Sequence, residues 1–257
     1  MLRRAHRRGI LMSASRTATP ATGPLWMELT GFPGLEGWRA GFTTRRAGGE
    51  LSGVLPLLGW EGLPVVRLAQ RHGSRVVNIL SLEEASRPLQ EADGLTTACR
   101  GLVLTVASAD CVPLVLFDPD RPAGAVIHAG WRGTRSRIAR GGVEALRRSF
   151  GCRPEGLRAM IGPAIGHCCY RVGREVVEAF LSAGFSPDVV LREDGDGAFL
   201  DLPEANRRDL VDSGLDPSRI HSVGLCTRCL AGLFPSYRRD GSGTGRILTF
   251  LGSSPHS

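Results

Sequence analysis

A chain of 257 residues, 42% hydrophobic and 22% charged, has the make-up of a globular protein with a large core, and it lacks the run of about eighteen apolar residues that a membrane span needs. Its formal charge of +7 does not call for a nucleic-acid partner: Arg3, Arg4, Arg7, Arg8 and Arg16 carry five of those charges ahead of the first acid, Glu28, leaving only +2 for the rest. All 32 basic residues are arginine, which excludes Schiff-base chemistry through lysine. Seven cysteines in a chain this long, with no export signal, point to a reducing, cytoplasmic setting rather than a disulfide framework.

Residues 1–24 read as a disordered arginine-rich tail, since the apolar piece Gly9-Ile10-Leu11-Met12 is too short for the core of a signal peptide; a translation start at Met12 or Met27 would shorten or remove it. No repeat or low-complexity linker divides the remainder of the chain, so residues 25–257 are expected to form one catalytic domain, with a monomer as the expected state. Residues 41–49 read as a strand end running into a glycine-rich loop that carries Arg45 and Arg46, a place where guanidinium groups and backbone amides could hold an anion. Residues 65–68 and 76–80 read as strands flanking Gln70-Arg71-His72-Gly73, which makes His72 a candidate ligand, and 102–106 as a further buried strand.

Two apolar runs, 112–117 and 124–128, are joined by Asp118-Pro119-Asp120-Arg121-Pro122-Ala123, a connection too short for a parallel crossover. They should form an antiparallel hairpin, and centring it on the turn puts Cys111 opposite His128 to within a residue or two. Trp131-Arg132-Gly133 then leads to a helix whose core face is Ala139, Gly142, Val143, Leu146 and Phe150. Its N-terminus would point at the end of the His128 strand, with Arg132 as a phosphate or carboxylate partner. A turn at 162–166 precedes His167-Cys168-Cys169-Tyr170 and a second amphipathic helix with Val172, Val176, Val177 and Phe180 inward. Pro203 suits the first turn of a helix reaching Val211, with Asp201 as a possible cap. A polar loop through Ser236-Tyr237-Arg238-Arg239-Asp240-Gly241 leads to a last strand at 247–251. Strands and helices alternating around an antiparallel hairpin imply a mixed sheet system.

A thiol and an imidazole brought together beside a glycine-rich turn could chelate zinc or copper(I). A third donor, for which His72 is the candidate, would give three protein ligands and one open position, the arrangement of a catalytic metal site. The same pair could instead act without metal, Cys111 as nucleophile, His128 as base and Asp110 or another carboxylate as orienter, an arrangement suited to amide or ester hydrolysis. Metal ligation ties up the thiolate, so the two roles compete. Cys226-Thr227-Arg228-Cys229 has the spacing of a zinc or redox motif but lacks a second such pair, and packed structural cysteines are an equal reading.

Six ordered blocks, Gln70-Arg71-His72-Gly73, Ala92-Asp93-Gly94-Leu95-Thr96-Thr97, Ala109-Asp110-Cys111-Val112-Pro113, His128-Ala129-Gly130-Trp131-Arg132-Gly133, the stretch 162–170 and the stretch 236–241, together resemble the YfiH/YlmD family, also called the laccase-domain or purine nucleoside phosphorylase family. The resemblance runs from about Phe32 to Leu251. It implies an α+β fold, a four-layer α/β/β/α sandwich with mixed sheets, and a zinc site made by His72, Cys111 and His128, with copper as a possible occupant. It further implies phosphorolysis of adenosine, inosine and S-methyl-5′-thioadenosine, and deamination of adenosine, with phosphate and small-molecule nucleosides as the partners. Arg45 and Arg132 are the expected phosphate-binding residues, and Cys111, His128 and Arg132 the expected catalytic ones. Two further activities attributed to the family, amide hydrolysis on peptidoglycan precursors through Cys111 and His128, and copper polyphenol oxidation, stand as the alternatives; six histidines are few for a multicopper oxidase. Where the family's arginine-and-glycine loop continues to an Asn-Leu pair, this chain has Glu50-Leu51-Ser52-Gly53-Val54-Leu55. No catalytic role is carried onto Cys226 or Cys229.

Overall fold

The hairpin on which the sequence reading centres forms as two strands buried along their whole length, Val112–Asp118 and Ala123–Ala129. Alternation sends Val112, Leu114, Leu116, Ala125 and Ile127 to one face and Val115, Phe117 and Val126 to the other, and each face has its own cover, which is why both strands read as continuous apolar runs. A computed structural model describes residues 11–14, 23–30, 35, 37–88 and 90–255 of the chain.

The hairpin lies at the centre of a six-stranded sheet, in the order Ile220–Ser222, Arg158–Ile161, Val112–Asp118, Ala123–Ala129, Gly94–Thr97, Val76–Ile79. Its inner four strands are antiparallel and its two outermost pairings parallel, so the sheet is mixed as expected. A second six-stranded sheet runs Leu11–Ala14, Trp26–Thr30, Trp38–Thr43, Ile247–Ser253, Val103–Ser108, Val65–Val66. The two sheets pack face to face through Val115, Phe117, Val126 and Leu95 on one side and Trp38, Phe42, Leu104, Val106 and Leu251 on the other, with the Trp38 and Phe117 rings 5.7 Å apart.

The outer face of the first sheet carries the helix Ile138–Phe150, which lays Ile138, Ala139, Val143 and Leu146 on Leu116, Ala125 and Ile127, and the helix Leu202–Asp212 joins the same core. The outer face of the second sheet is closed by Trp60, Leu51, Val54 and Leu58, the last of these on the short helix Leu55–Leu58, against Val103, Leu248 and Phe250. The result is helix, sheet, sheet, helix, the four-layer α/β/β/α arrangement.

Several local readings are corrected. Leu11–Ala14 pairs with Met27–Thr30 as an edge strand, within the stretch expected to be a disordered tail; residues 1–10 and 15–22 of that tail lie outside the described residues. The helix expected straight after His128 is broken in two: Trp131–Arg135 ends at Ser136, Arg137 takes a left-handed φ of 60°, and Ile138–Phe150 starts afresh. The N-terminus that directly follows the His128 strand is therefore that of the short helix, capped at Gly130, and not that of the long one. Val172 lies on a strand, Arg171–Gly173, of a small three-stranded sheet with Val190–Asp194 and Gly197–Leu200, and the helix begins only at Arg174. Asp201 does cap Leu202–Asp212, its carboxylate accepting from the Glu204 amide at 2.9 Å, with Pro203 in the first turn. Among the described residues no helix is long and apolar enough to cross a membrane.

Candidate active site and metal centre

His128 stands one residue before the end of its strand, at the rim of the space between the two sheets. The hairpin register pairs it with Pro113, not with Cys111, which lies just ahead of Val112 and beyond the ladder. The expected pairing is thus two residues out, and the thiol reaches the imidazole diagonally across the hairpin mouth. Asp110, at a φ of 90°, makes the bend that carries Cys111 there.

The third residue comes from a distant loop. His72, also at positive φ (58°), lies between the strands Leu68–Ala69 and Val76–Ile79, and its ring stands edge-on to that of His128 with centroids 4.9 Å apart. The donor atoms of His72, Cys111 and His128 all lie within 4.8 Å of one another. His128 is buried, Cys111 half-buried and His72 exposed, so the trio opens to solvent on the His72 side. Two imidazoles and one thiolate are a donor set that fits zinc, three protein ligands with a position left for an exogenous molecule.

Two residues with no role assigned from sequence build this convergence. Asp93, 1% exposed and immediately ahead of the strand Gly94–Thr97, accepts the backbone amides of His72 (2.9 Å), Gly73 (2.7 Å) and Arg71 (3.2 Å) and pairs with His128 Nδ1 at 2.9 Å. Its own carbonyl accepts the His128 amide at 2.7 Å. One carboxylate therefore shapes the His72 turn and presents the other nitrogen of His128, Nε2, to the centre, the second-sphere role that fixes a ligating histidine's tautomer. Gln70 ties the same turn to the opposite sheet by a two-way pairing, its amide nitrogen donating to the Ala107 carbonyl (2.8 Å) and its carbonyl accepting the Ala107 amide (2.7 Å).

Electrostatics follow from this packing. Burial works against an ionised thiol at Cys111, yet the hydrogen bonds and charges of His128 and His72 outweigh it and hold the thiol at about 6. Burial likewise favours neutral His128, and Asp93 together with Cys111 overcomes it, lifting the imidazole to about 9. Asp93 itself is buried, which pushes its carboxyl up, but His128 and the loop amides carry it below its ordinary value. The two shifts belong to one buried pair, the thiol lowered by the imidazoles and the His128 imidazole raised by Asp93 and the thiol.

Glycines let the backbones close in. A Cβ on Gly130 would stand 3.0 Å from His72 Cδ2 and 3.1 Å from Cys111 Sγ, and one on Gly133 would meet the Gly73 carbonyl oxygen at 2.6 Å. Gly130→Ala should therefore fold but push His72 and Cys111 apart, lowering zinc affinity in a chelator competition; unchanged affinity would show that this close packing does not set the donor geometry.

The remaining expected residues divide. Arg132 sits at the start of the short helix Trp131–Arg135, exposed, its guanidinium 4.5 Å from the Trp131 ring centroid, and its charge acts on Tyr170, which in turn senses Cys111. Arg45 is held by the loop that follows the second pair of cysteines: its Nε donates to the Ala231 carbonyl (3.0 Å), and Nη2 to the Phe234 carbonyl (2.9 Å) and Asp240 (2.8 Å). That edge of the guanidinium is spent on holding the loop at 231–240. Asp110 does not orient His128; its carboxylate accepts the Thr227 and Ser236 hydroxyls (2.6 and 3.1 Å) and the Arg238 amide (2.6 Å). This anchoring draws in Arg238, whose guanidinium lies 5.1 Å from the centroid of Tyr170, a ring whose hydroxyl is pushed up to about 12 by burial and then by the Cys111 charge. Cys111, His128 and Asp93 also run in the order nucleophile, base, orienter, but a thiol–imidazole pair of that kind has no use for the second imidazole, His72, that the loop delivers.

The centre of two histidines and one cysteine is thus carried by a mixed α/β/β/α sandwich. The family model described as multi-copper polyphenol oxidoreductase laccase matches residues 54–254. The chain is 42% identical over 188 residues to adenosine deaminase RL5 of an unknown prokaryotic organism, covering 70% of this chain and 71% of that protein. It is 36% identical over 190 residues to purine nucleoside phosphorylase YlmD of Bacillus subtilis, covering 71% and 68%. YlmD from Geobacillus stearothermophilus superposes with a TM-score of 0.85 at 28% identity over 96% of this chain and 100% of that one. A Bacillus licheniformis protein, YfiH, does so with a TM-score of 0.83 at 31% identity over 90% and 97%. The chain belongs to the YfiH/YlmD family, whose curated relatives are named as purine nucleoside phosphorylases and an adenosine deaminase.

Proposed function

We propose that this protein is a zinc-dependent purine nucleoside enzyme that cleaves adenosine, inosine and S-methyl-5′-thioadenosine with phosphate and also deaminates adenosine. The observation that carries the reading is the convergence of His72, Cys111 and His128 on one solvent-facing point, with the thiol at about 6 and Asp93 fixing the His128 tautomer. Bound there, zinc would supply a Lewis acid with an open position. His72, Cys111 and His128 would hold it, Asp93 would keep His128 in the ligating tautomer, and Gln70 would keep the His72 loop docked.

In phosphorolysis an oxygen of phosphate attacks the ribosyl carbon as its bond to the purine nitrogen breaks, giving the free base and ribose 1-phosphate, or its methylthio counterpart. Arg132 lies against the Trp131 ring and has no ion pair among the described residues, so its donors are available to bind and orient the dianion. Arg238 adds positive charge beside Tyr170. Arg45, expected to share the phosphate, is left out because its Nε and Nη2 serve the loop. In deamination, water adds to the purine C6 and ammonia leaves from the same carbon.

Incubating the zinc-loaded protein with adenosine, with and without phosphate, and separating the products tests this. Phosphate-dependent adenine and ribose 1-phosphate support phosphorolysis, inosine without phosphate supports deamination, and untouched adenosine in both arms overturns the reading. Arg132→Ala should raise the KM for phosphate about tenfold to a hundredfold, the loss of a charge-assisted hydrogen bond, with kcat less affected. A KM for phosphate equal to that of the unaltered protein would remove Arg132 from the site.

A further inference from the structure

We propose that Cys168, Cys169, Cys226 and Cys229 form a second metal centre, a tetrathiolate zinc site that clamps two loops of the framework behind the His72–Cys111–His128 centre. The four sulfurs come from segments about sixty residues apart, and all lie within 4.8 Å of one another. Cys169 Sγ stands 3.4 Å from Cys229 Sγ, and Cys168 Sγ 3.6 Å from it. These spacings are far from a disulfide bond, about 2.05 Å. They are close to the roughly 3.8 Å edge of a sulfur tetrahedron around a zinc at about 2.3 Å.

Packing alone does not account for the cluster. Free cysteine serves as a small apolar residue when it is buried, whereas Cys168 and Cys229 are exposed and Cys169 and Cys226 half-buried. The backbone is arranged for sulfur ligands as well. On one side a turn closes with the Cys169 and Tyr170 amides donating to the Gly166 carbonyl (2.9 and 3.0 Å); on the other the Leu230 amide donates to the Cys226 carbonyl (3.0 Å). The two turns are stitched by a bridge between Ala164 and Cys226, and the Gly166 amide donates to Cys226 Sγ at 3.2 Å, a contact that stabilises sulfur carrying negative charge. Four thiolates around one divalent ion leave a net charge of −2. Arg239 lies against this loop, its Nη1 donating to the Thr227 and Arg228 carbonyls, both at 2.9 Å, and its guanidinium senses the Cys226 charge. Tetrahedral sulfur ligation selects zinc or iron, and we assign zinc.

The clamp reaches the first centre through two short paths. Thr227, between the two cysteines of the second loop, donates to Asp110, which sets the bend before Cys111; Tyr170, directly after Cys169, packs under Arg238. None of this depends on the nucleoside reading, so the two stand or fall separately.

The test is metal counting on the full chain, purified under reducing conditions with zinc present. The intact protein should hold two zinc ions per chain, Cys111→Ala one, Cys168→Ser/Cys229→Ser one, and the three substitutions together none. Anaerobic cobalt loading of Cys111→Ala should give the intense near-ultraviolet thiolate charge transfer and visible bands of a tetrahedral sulfur site. Because that variant leaves the four cysteines untouched, the proposal remains testable even if the double serine variant fails to fold. A Cys111→Ala protein that binds no zinc, holds iron instead, or contains a disulfide among these cysteines overturns the assignment.

Discussion

Cys111→Ala is expected to lose the metal of the His72–Cys111–His128 centre and to drop adenosine phosphorolysis and deamination to background, while still melting cooperatively. Cys111 supplies the one anionic donor of the three, held at about 6 by the two imidazoles despite its burial, so its removal leaves only the two imidazoles to bind a dication. Altering a neighbour of a metal ligand typically costs 10- to 100-fold, and deleting the ligand itself should cost more. Little stability is at stake, because Cys111 lies outside the hairpin ladder and only half-buried. Cys111→Ser separates the roles of shape and charge: a hydroxyl of similar size that does not ionise near neutral pH should fail almost as completely. Retained phosphorolysis in a Cys111→Ala protein would remove the thiolate from the chemistry.

Asp93→Asn carries the second largest expected effect, a 10- to 100-fold loss of zinc affinity with a parallel loss of turnover. Four donors, the amides of Arg71, His72 and Gly73 and the Nδ1 of His128, converge on the two carboxylate oxygens. An amide replaces one acceptor with a donor, setting an N–H against either the loop amides or His128. A buried donor left without a partner costs about 1–3 kcal/mol, so a lower melting temperature should accompany the loss of affinity. The imidazole should also titrate below the value of about 9 that Asp93 and Cys111 together give it. Full zinc affinity in Asp93→Asn would mean that His128 is oriented by the strand alone.

The parts of the site that were legible are those written in local pattern. Two apolar runs and a six-residue turn place Cys111 and His128 at one hairpin mouth, and the two-residue offset in register does not separate them, since the two side chains meet diagonally. His72 is a candidate from its place beside Gly73 at a strand junction and from the resemblance of the blocks, but spacing does not place it, because its approach depends on Asp93 and Gln70 docking its loop against both sheets. Asp93 stands in the Ala92–Thr97 block with no role assigned from sequence, because its role requires knowing that Gly94–Thr97 lies beside Ala123–Ala129, a fact of sheet order. Arg45 shows what local pattern leaves open. A glycine-rich loop with an arginine suggests an anion site, yet where a long side chain goes is decided by tertiary partners, here Asp240 and two carbonyls. The break at Arg137 has no strong local mark either, since the apolar period of Ile138–Phe150 continues cleanly up to it. Cys226 and Cys229 read as incomplete because the sequence holds no second C-x-x-C pair, whereas the fold brings beside them two adjacent cysteines from the 162–170 stretch.

The most direct test is anomalous diffraction at the zinc edge on crystals grown with zinc and phosphate. A peak is expected between His72, Cys111 and His128, at about 2.0–2.1 Å from the two nitrogens and about 2.3 Å from the sulfur, with a fourth ligand that is not protein. A zinc-replete crystal with no peak there, or with a protein side chain closing the fourth position, would contradict the account.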